Sequence, residues 1–315
     1  MATIETALGP IDASTLGFTL AHEHVVASGG EDLQHYPWMF DRARSVAAIT
    51  ETMRQWKAAG GIDAVIDLTP PDLGRDVELA AECSRGSGIH VIVSSGMWRD
   101  IPRSFLNRDI DESAEIFVHE IEVGIGATSI KAGVMKIAND VEGIGQAEEN
   151  VLRAVARACK QTGCPISTHH DAVGKQGLEQ IRIFREEGVQ MDRVGIGHSS
   201  DSTDVAYLEQ MLNAGVYLVM DRYPGREGRP DSDARNATVK ALIDKGWASK
   251  IMLGHDLGPG GLVRVGRERV TPTYAPEGWL HLPTVALPRL MALGVTQADV
   301  DMMMREVPRR FLSGE

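Results

Sequence analysis

The chain has 315 residues, with 32 basic against 44 acidic side chains and a formal charge of −12. That balance argues against a nucleic-acid backbone or an anionic membrane as the main partner and for a small molecule. Hydrophobic residues at 43% and charged residues at 24% are ordinary globular usage, which excludes disordered, collagen-like and coiled-coil classes. Cys83, Cys159 and Cys164 form neither a disulfide framework nor a CxxC metal pattern, and there is no basic-then-apolar leader and no apolar run long enough to span a membrane. The expected setting is a reducing one, the cytoplasm.

Short β-rich runs alternate with longer helical patterns along the chain. GFTLAH ends near His22 and is followed by an amphipathic 45–59. DAVIDLT leads to 76–87, HVIVSSG to 111–123, and SIKAGVMK (129–136) to 146–162, whose 3.6-residue period is strong. PISTHH precedes 177–187, RVGIGHS precedes 204–214, and GVYLVMD precedes 234–245. KIMLGHD (250–256) is followed by an irregular stretch, 257–278, and then by helical patterns at 284–293 and 297–305. No linker divides the series. About eight nearly all-apolar strands, each followed by a helix, imply a closed parallel sheet of the α/β class, a (β/α)8 TIM barrel forming one domain over 1–315. A doubly wound dinucleotide fold would need a GxGxxG turn after the first strand, where Ala21-His22-Glu23-His24 stands instead.

Catalytic groups in such a barrel sit at the carboxyl ends of the strands. Those ends carry His22-Glu23-His24, Lys131, Thr168-His169-His170, Gly197-His198-Ser199 and Gly254-His255-Asp256. Alternation along a strand turns His22 and His24 to one side and Glu23 to the other. A pair of histidines at this spacing also occurs by chance or as hydrogen-bonded core residues, so the assembled set carries the argument. Four histidines and Asp256 at one mouth suit zinc and its first-row neighbours better than calcium or magnesium. A protonated lysine would repel a cation, but Lys131 carboxylated by carbon dioxide would be an anionic bridge between two metals. His170 and His255 are expected to face the helix layer as structural groups, and His35, His90, His119 and His281 lie away from the useful strand ends.

The runs LGFTLAHEH, IKAG, STH, IGHSSDSTDVAYLE and LGHD, in order and covering about Thr3 to Phe311, resemble the phosphotriesterase family of the amidohydrolase superfamily. The resemblance implies a binuclear site in which His22, His24 and Asp256 hold one divalent ion and His169 and His198 the other. Carboxylated Lys131 and a hydroxide would bridge them. The hydroxide would attack the substrate directly, with Asp256 accepting the proton. Related deaminases use one metal and no bridging lysine, so Lys131 points to the binuclear branch. Zinc is the default ion, with Co, Mn and Fe open. The resemblance also implies a homodimer.

Met220-Asp221-Arg222-Tyr223 resembles the D-R-[FY] segment of phosphotriesterase-like lactonases, making Arg222 and Tyr223 expected substrate contacts. Trp98 stands where those lactonases carry a tyrosine, and an indole N–H donates but neither accepts nor ionises. The loop 257–278 differs from a long hydrophobic lid, and its Arg264, Arg267 and Arg269 are candidates to meet an anionic substrate or to form a solvated face. The apolar run from Tyr36 to Phe40 is a candidate pocket wall or subunit contact. The expected activity is a metal-dependent lactonase with weak organophosphate triesterase activity. The alternatives are a dedicated phosphotriesterase or other esterase, and a metal-free barrel kept for binding.

Overall fold

Ten strands follow from these apolar runs in the computed structural model, which describes residues 2–27, 31–267 and 274–315. The chain opens with an antiparallel hairpin of β1 (Thr3–Thr6) and β2 (Gly9–Asp12), two four-residue strands too short to stand out in the alternating series. The barrel strands are β3 (Thr19–Glu23), β4 (Ala64–Asp67), β5 (His90–Gly96), β6 (Val134–Ala138), β7 (Ile166–His169), β8 (Val194–Ile196), β9 (Tyr217–Met220) and β10 (Ile251–Leu253). Each pairs in parallel with its neighbour in chain order. The ring is closed by Asp256 N–H donating to His22 O (2.9 Å) and His24 N–H donating to Leu257 O (2.9 Å). The architecture is a (β/α)8 barrel.

Alternation gives each strand two jobs. Ile92, Val134, Val219 and Met252 pack in one cluster with Ile4 and Leu16 from the amino end and Phe311 from the last helix, which fill the barrel at the end opposite its mouth. Val91, Val93, Met135, Ile137, Leu218 and Met220 belong to the larger cluster between barrel and helices. All are buried, and each such side chain contributes about 1.5–3 kcal/mol.

Aspartates set the helix starts. Asp41, Asp76, Asp109, Asp204 and Asp231 accept backbone N–H groups of Arg44, Leu79, Asp111, Tyr207 and Ala234, satisfying donors that a first turn leaves unpaired. Helices Arg42–Gly60 and Ser232–Asp244 therefore begin two or three residues before the first apolar repeat. The last helical stretch runs on from Gln297 to Ser313 instead of ending near 305. Pro308 lacks an N–H and would clash with a carbonyl one turn back; the wider π turn at Met302–Glu306 accommodates it. Among the described residues no helix is long and apolar enough to cross a membrane. The three cysteines are free and buried.

Candidate active site

The strand ends bring together most of the expected set. His22 lies in β3 and His24 just beyond it, His169 ends β7, and His198 and Asp256 follow β8 and β10. His198, Arg222 and Asp256 take left-handed backbone, with φ of 60°, 63° and 56°. Non-glycine residues adopt that conformation where surrounding structure enforces it, often at functional sites. Gly197 is required for approach: a Cβ there would lie 1.9 Å from Thr168 O.

Hydrogen bonds fix the tautomer of every imidazole. His22 Nδ1 lies 2.5 Å from Asp221 Oδ2 and His198 Nδ1 lies 2.9 Å from Asp221 Oδ1, so in both rings the proton sits on Nδ1. His24 Nδ1–H donates to Thr69 Oγ1 (2.9 Å), whose hydroxyl donates to Asp67. His169 Nε2 faces Asp140 Oδ2 at 3.3 Å, and its Nδ1 accepts the Trp98 indole N–H, so Nδ1 is unprotonated. Each ring thus turns an unprotonated nitrogen inward. His198 Nε2 and His169 Nδ1 stand 2.7 Å apart, and His24 Nε2 lies 3.0 Å from Asp256 Oδ1. Lone pair faces lone pair in one case and a carboxylate in the other. A divalent cation resolves both repulsions, so the donor set fits a metal. His22, His24 and Asp256 offer atoms within 4.8 Å of one another.

The electrostatics agree. Burial pushes the His22 imidazole down to about 4, with nearby Lys136 adding to the effect, and burial holds His198 well below its ordinary value. Both rings are neutral, as ligands must be. Burial alone would raise Asp256, but its charged surroundings, the Arg222 guanidinium among them, outweigh it and hold the carboxyl well below the usual range.

Two expected residues stand elsewhere. Lys131 lies three residues before β6, on the amino-terminal, closed side of the barrel and five residues before Lys136. The lysine at the site is Lys136, buried in β6 with Nζ 3.1 Å from His22 Nε2, and burial lowers its pKa to about 8. Tyr223 turns into the helix layer, 1% exposed, and donates its hydroxyl to Asn236 Oδ1 (3.0 Å), so it does not face the mouth. Tyr223→Phe is expected to lower stability by about 1–3 kcal/mol, because a buried acceptor loses its donor, while kcat/KM changes less than about twofold. Thermal unfolding and steady-state kinetics on the same preparation check this.

Arg222 is at the mouth as an ion-pair partner: Nε donates to Asp256 Oδ2 (3.0 Å) and a terminal nitrogen to Asp201 Oδ2 (2.6 Å). The Trp98 indole N–H donates to His169 Nδ1 (3.2 Å). Trp98 also fronts a cleft of about 1100 Å³ in which Pro71, Leu73, Ile101 and Leu106 stand among the charged Asp72, Arg99, Asp100 and Arg103. Arg264 pairs with Asp32 and lies over Phe40; Arg267 is exposed, and Arg269 lies outside the described residues. Trp38 is 75% exposed. As expected, His170 and His255 are structural: His170 bonds Gly197 O and Tyr207, and His255 bonds Glu23.

The sequence reading missed Asp221 as well as Lys136. This wholly buried carboxylate accepts from His22, from the His198 ring and from the His198 backbone N–H (3.1 Å). The available signal was an acidic residue closing an all-apolar strand next to Arg222.

Comparison with known proteins shows the family of the chain. The profile of the phosphotriesterase family matches residues 2–312. A protein named phosphotriesterase homology protein, from Mycobacterium tuberculosis, is 39% identical over 98% of this chain and 97% of its own. An aryldialkylphosphatase from Saccharolobus solfataricus is 34% identical over 96% of this chain and 97% of its own. The solved structure of the phosphotriesterase from Mycobacterium tuberculosis superposes with a TM-score of 0.88 at 37% identity, covering 98% of each chain.

Proposed function

Because the chain belongs to the phosphotriesterase family and is therefore a metal-dependent hydrolase, we propose that it is a binuclear lactonase with promiscuous triesterase activity. The observation that carries the binuclear reading is the set of four imidazoles with unprotonated nitrogens turned to one mouth beside Asp256 and Lys136. His22, His24 and Asp256 would hold one ion, His169 and His198 the other, with Lys136 shared. Two bound ions, zinc by default, would supply Lewis acidity toward a carbonyl or phosphoryl oxygen and an activated water at neutral pH.

The protein groups have distinct roles. Lys136, rather than Lys131, is the lysine positioned for carboxylation. Its neutral amine adds to carbon dioxide, an N–C bond forms and one proton leaves to solvent, giving a carbamate anion. A pKa near 8 keeps a usable neutral fraction. Asp256, kept ionised by its neighbours, accepts the proton of the attacking water; Arg222 and Arg226 hold its Oδ2. With His169 Nδ1 engaged by an ion, the Trp98 N–H that now donates to it would be free for a substrate oxygen, but the indole is no proton acceptor.

The lactone assignment rests on the resemblance around Arg222; the cleft beside Trp98, part apolar and part charged, has room for a substituent on the ring. A dedicated phosphotriesterase is the second reading, favoured by the name of the Saccharolobus relative. The test is kcat/KM on metal-reconstituted protein for lactones varying in ring size, tail and charge, beside one aryl phosphotriester. A lactone is expected to lead by at least about 100-fold, close to 3 kcal/mol of transition-state binding; a leading triester sinks the lactonase reading.

A further inference from the structure

Glu23, the last residue of β3 and flanked by His22 and His24, is wholly buried on the side away from the mouth. Its Oε1 accepts the backbone N–H of His255 (2.8 Å) and the His255 Nδ1–H (2.7 Å), and its Oε2 accepts the backbone N–H of Leu257 (3.2 Å). His255 Nε2 accepts from Leu282 N–H (3.1 Å), which places the ring proton on Nδ1 and makes Glu23 the acceptor in all three contacts. His255 and Leu257 flank Asp256, and the Asp256 N–H itself donates to His22 O (2.9 Å). Three consecutive peptide N–H groups are thus gripped by two consecutive residues of β3. Between the two held by Glu23, Asp256 sits at φ 56°, a conformation that an L residue keeps only when it is enforced.

We propose that Glu23 is a positioning residue whose two carboxylate oxygens hold the left-handed turn at 255–257, and so aim the Asp256 carboxylate at His22 and His24. Glycine or asparagine at 256 would relieve the backbone but remove or alter the carboxylate; Glu23 instead lets an aspartate occupy a position that its own backbone disfavours. His22 and His24 immediately flank Glu23 in the chain, so one short segment fixes both sides of that ligand group. The inference rests on the reading of Asp256 as a metal-site residue.

Glu23→Gln keeps the shape but turns an amide N–H2 toward one of the N–H donors, so one prong is lost. Chelator competition on metal-loaded protein is expected to show one ion bound about 10–100-fold more weakly in E23Q, the other unchanged, with an altered visible spectrum after cobalt substitution. H255N, which leaves both backbone donors and Glu23 in place, is expected to lower Tm while changing ion affinity less than about threefold. Wild-type affinity in E23Q overturns the proposal, as does an equal loss in H255N, which would assign the effect to packing of the strand seam. If E23Q does not fold, E23D, which keeps a carboxyl group but is too short to reach both N–H groups, gives the same readout with the same expected loss. The crystal structure of metal-free E23Q supplies a check that needs no ion: Asp256 is expected to leave the left-handed region, and its retention overturns the proposal. Metal binding by the wild-type protein tests the active-site reading; the difference between wild type and E23Q tests Glu23.

Discussion

Lys136→Met is expected to leave a folded protein that has lost metal and at least about 1000-fold in kcat/KM, roughly 4 kcal/mol of transition-state stabilisation. Methionine fills nearly the same volume and suits a strand position flanked by Met135 and Ile137, so the barrel should tolerate it. Removing the amine takes away the group 3.1 Å from His22 Nε2 and with it any carbamate. Lys131→Met, in the half-buried segment before β6, should retain wild-type metal content and rate. Metal per chain by elemental analysis separates the two variants. Isotope-labelled bicarbonate should give a carbamate carbonyl signal in wild type and K131M that is absent in K136M. Full metal content in K136M would remove the lysine from the site altogether.

The contrast between the two lysines shows where the sequence was legible. Strand-to-helix alternation and the residue types at strand ends are local properties, so the barrel, His22, His24, His169, His198 and Asp256 could all be read from them. The lysine depended on where the fourth barrel strand begins. A start at Ser129 puts IKAG in the sheet, whereas the observed strand starts at Val134. Gly133 explains the difference: a Cβ there would lie 2.6 Å from Glu5 O, so the chain just before β6 is spent packing under the amino-terminal hairpin. Within Val134-Met135-Lys136-Ile137-Ala138, alternation alone turns Lys136 inward with Val134, and a lone charge in an apolar strand was the usable signal. Tyr223 shows the opposite failure. Its neighbour Arg222 does reach the mouth, but the next side chain along must point the other way, toward Asn236. Asp221 and Glu23 act through partners far along the chain, 199 and 232 residues away in their hydrogen bonds, and no local pattern reports such pairings.

Asp221→Asn is expected to weaken both ions at once. One carboxylate serves His22 through Oδ2 and His198 through Oδ1, and these rings belong to different proposed ligand groups. Replacing one oxygen with an amide N–H2 sets a donor against a ring N–H, so one imidazole must flip its proton inward and cease to be a ligand. The other keeps its partner but loses a charged acceptor, a bond of about 1.5–3 kcal/mol. Each ion should then bind about 10–100-fold more weakly, and kcat/KM should fall at least about 100-fold at limiting metal. Thr69→Val gives the comparison, because of the four rings Thr69 supports only that of His24, its other partner being Asp67. Its loss should touch one ion and leave the other at wild-type affinity. Chelator competition followed to full metal removal resolves the two steps: both shift in D221N, one in T69V. A single shifted step in D221N would mean that the two histidines are oriented independently and that the shared carboxylate does not couple the two halves of the site.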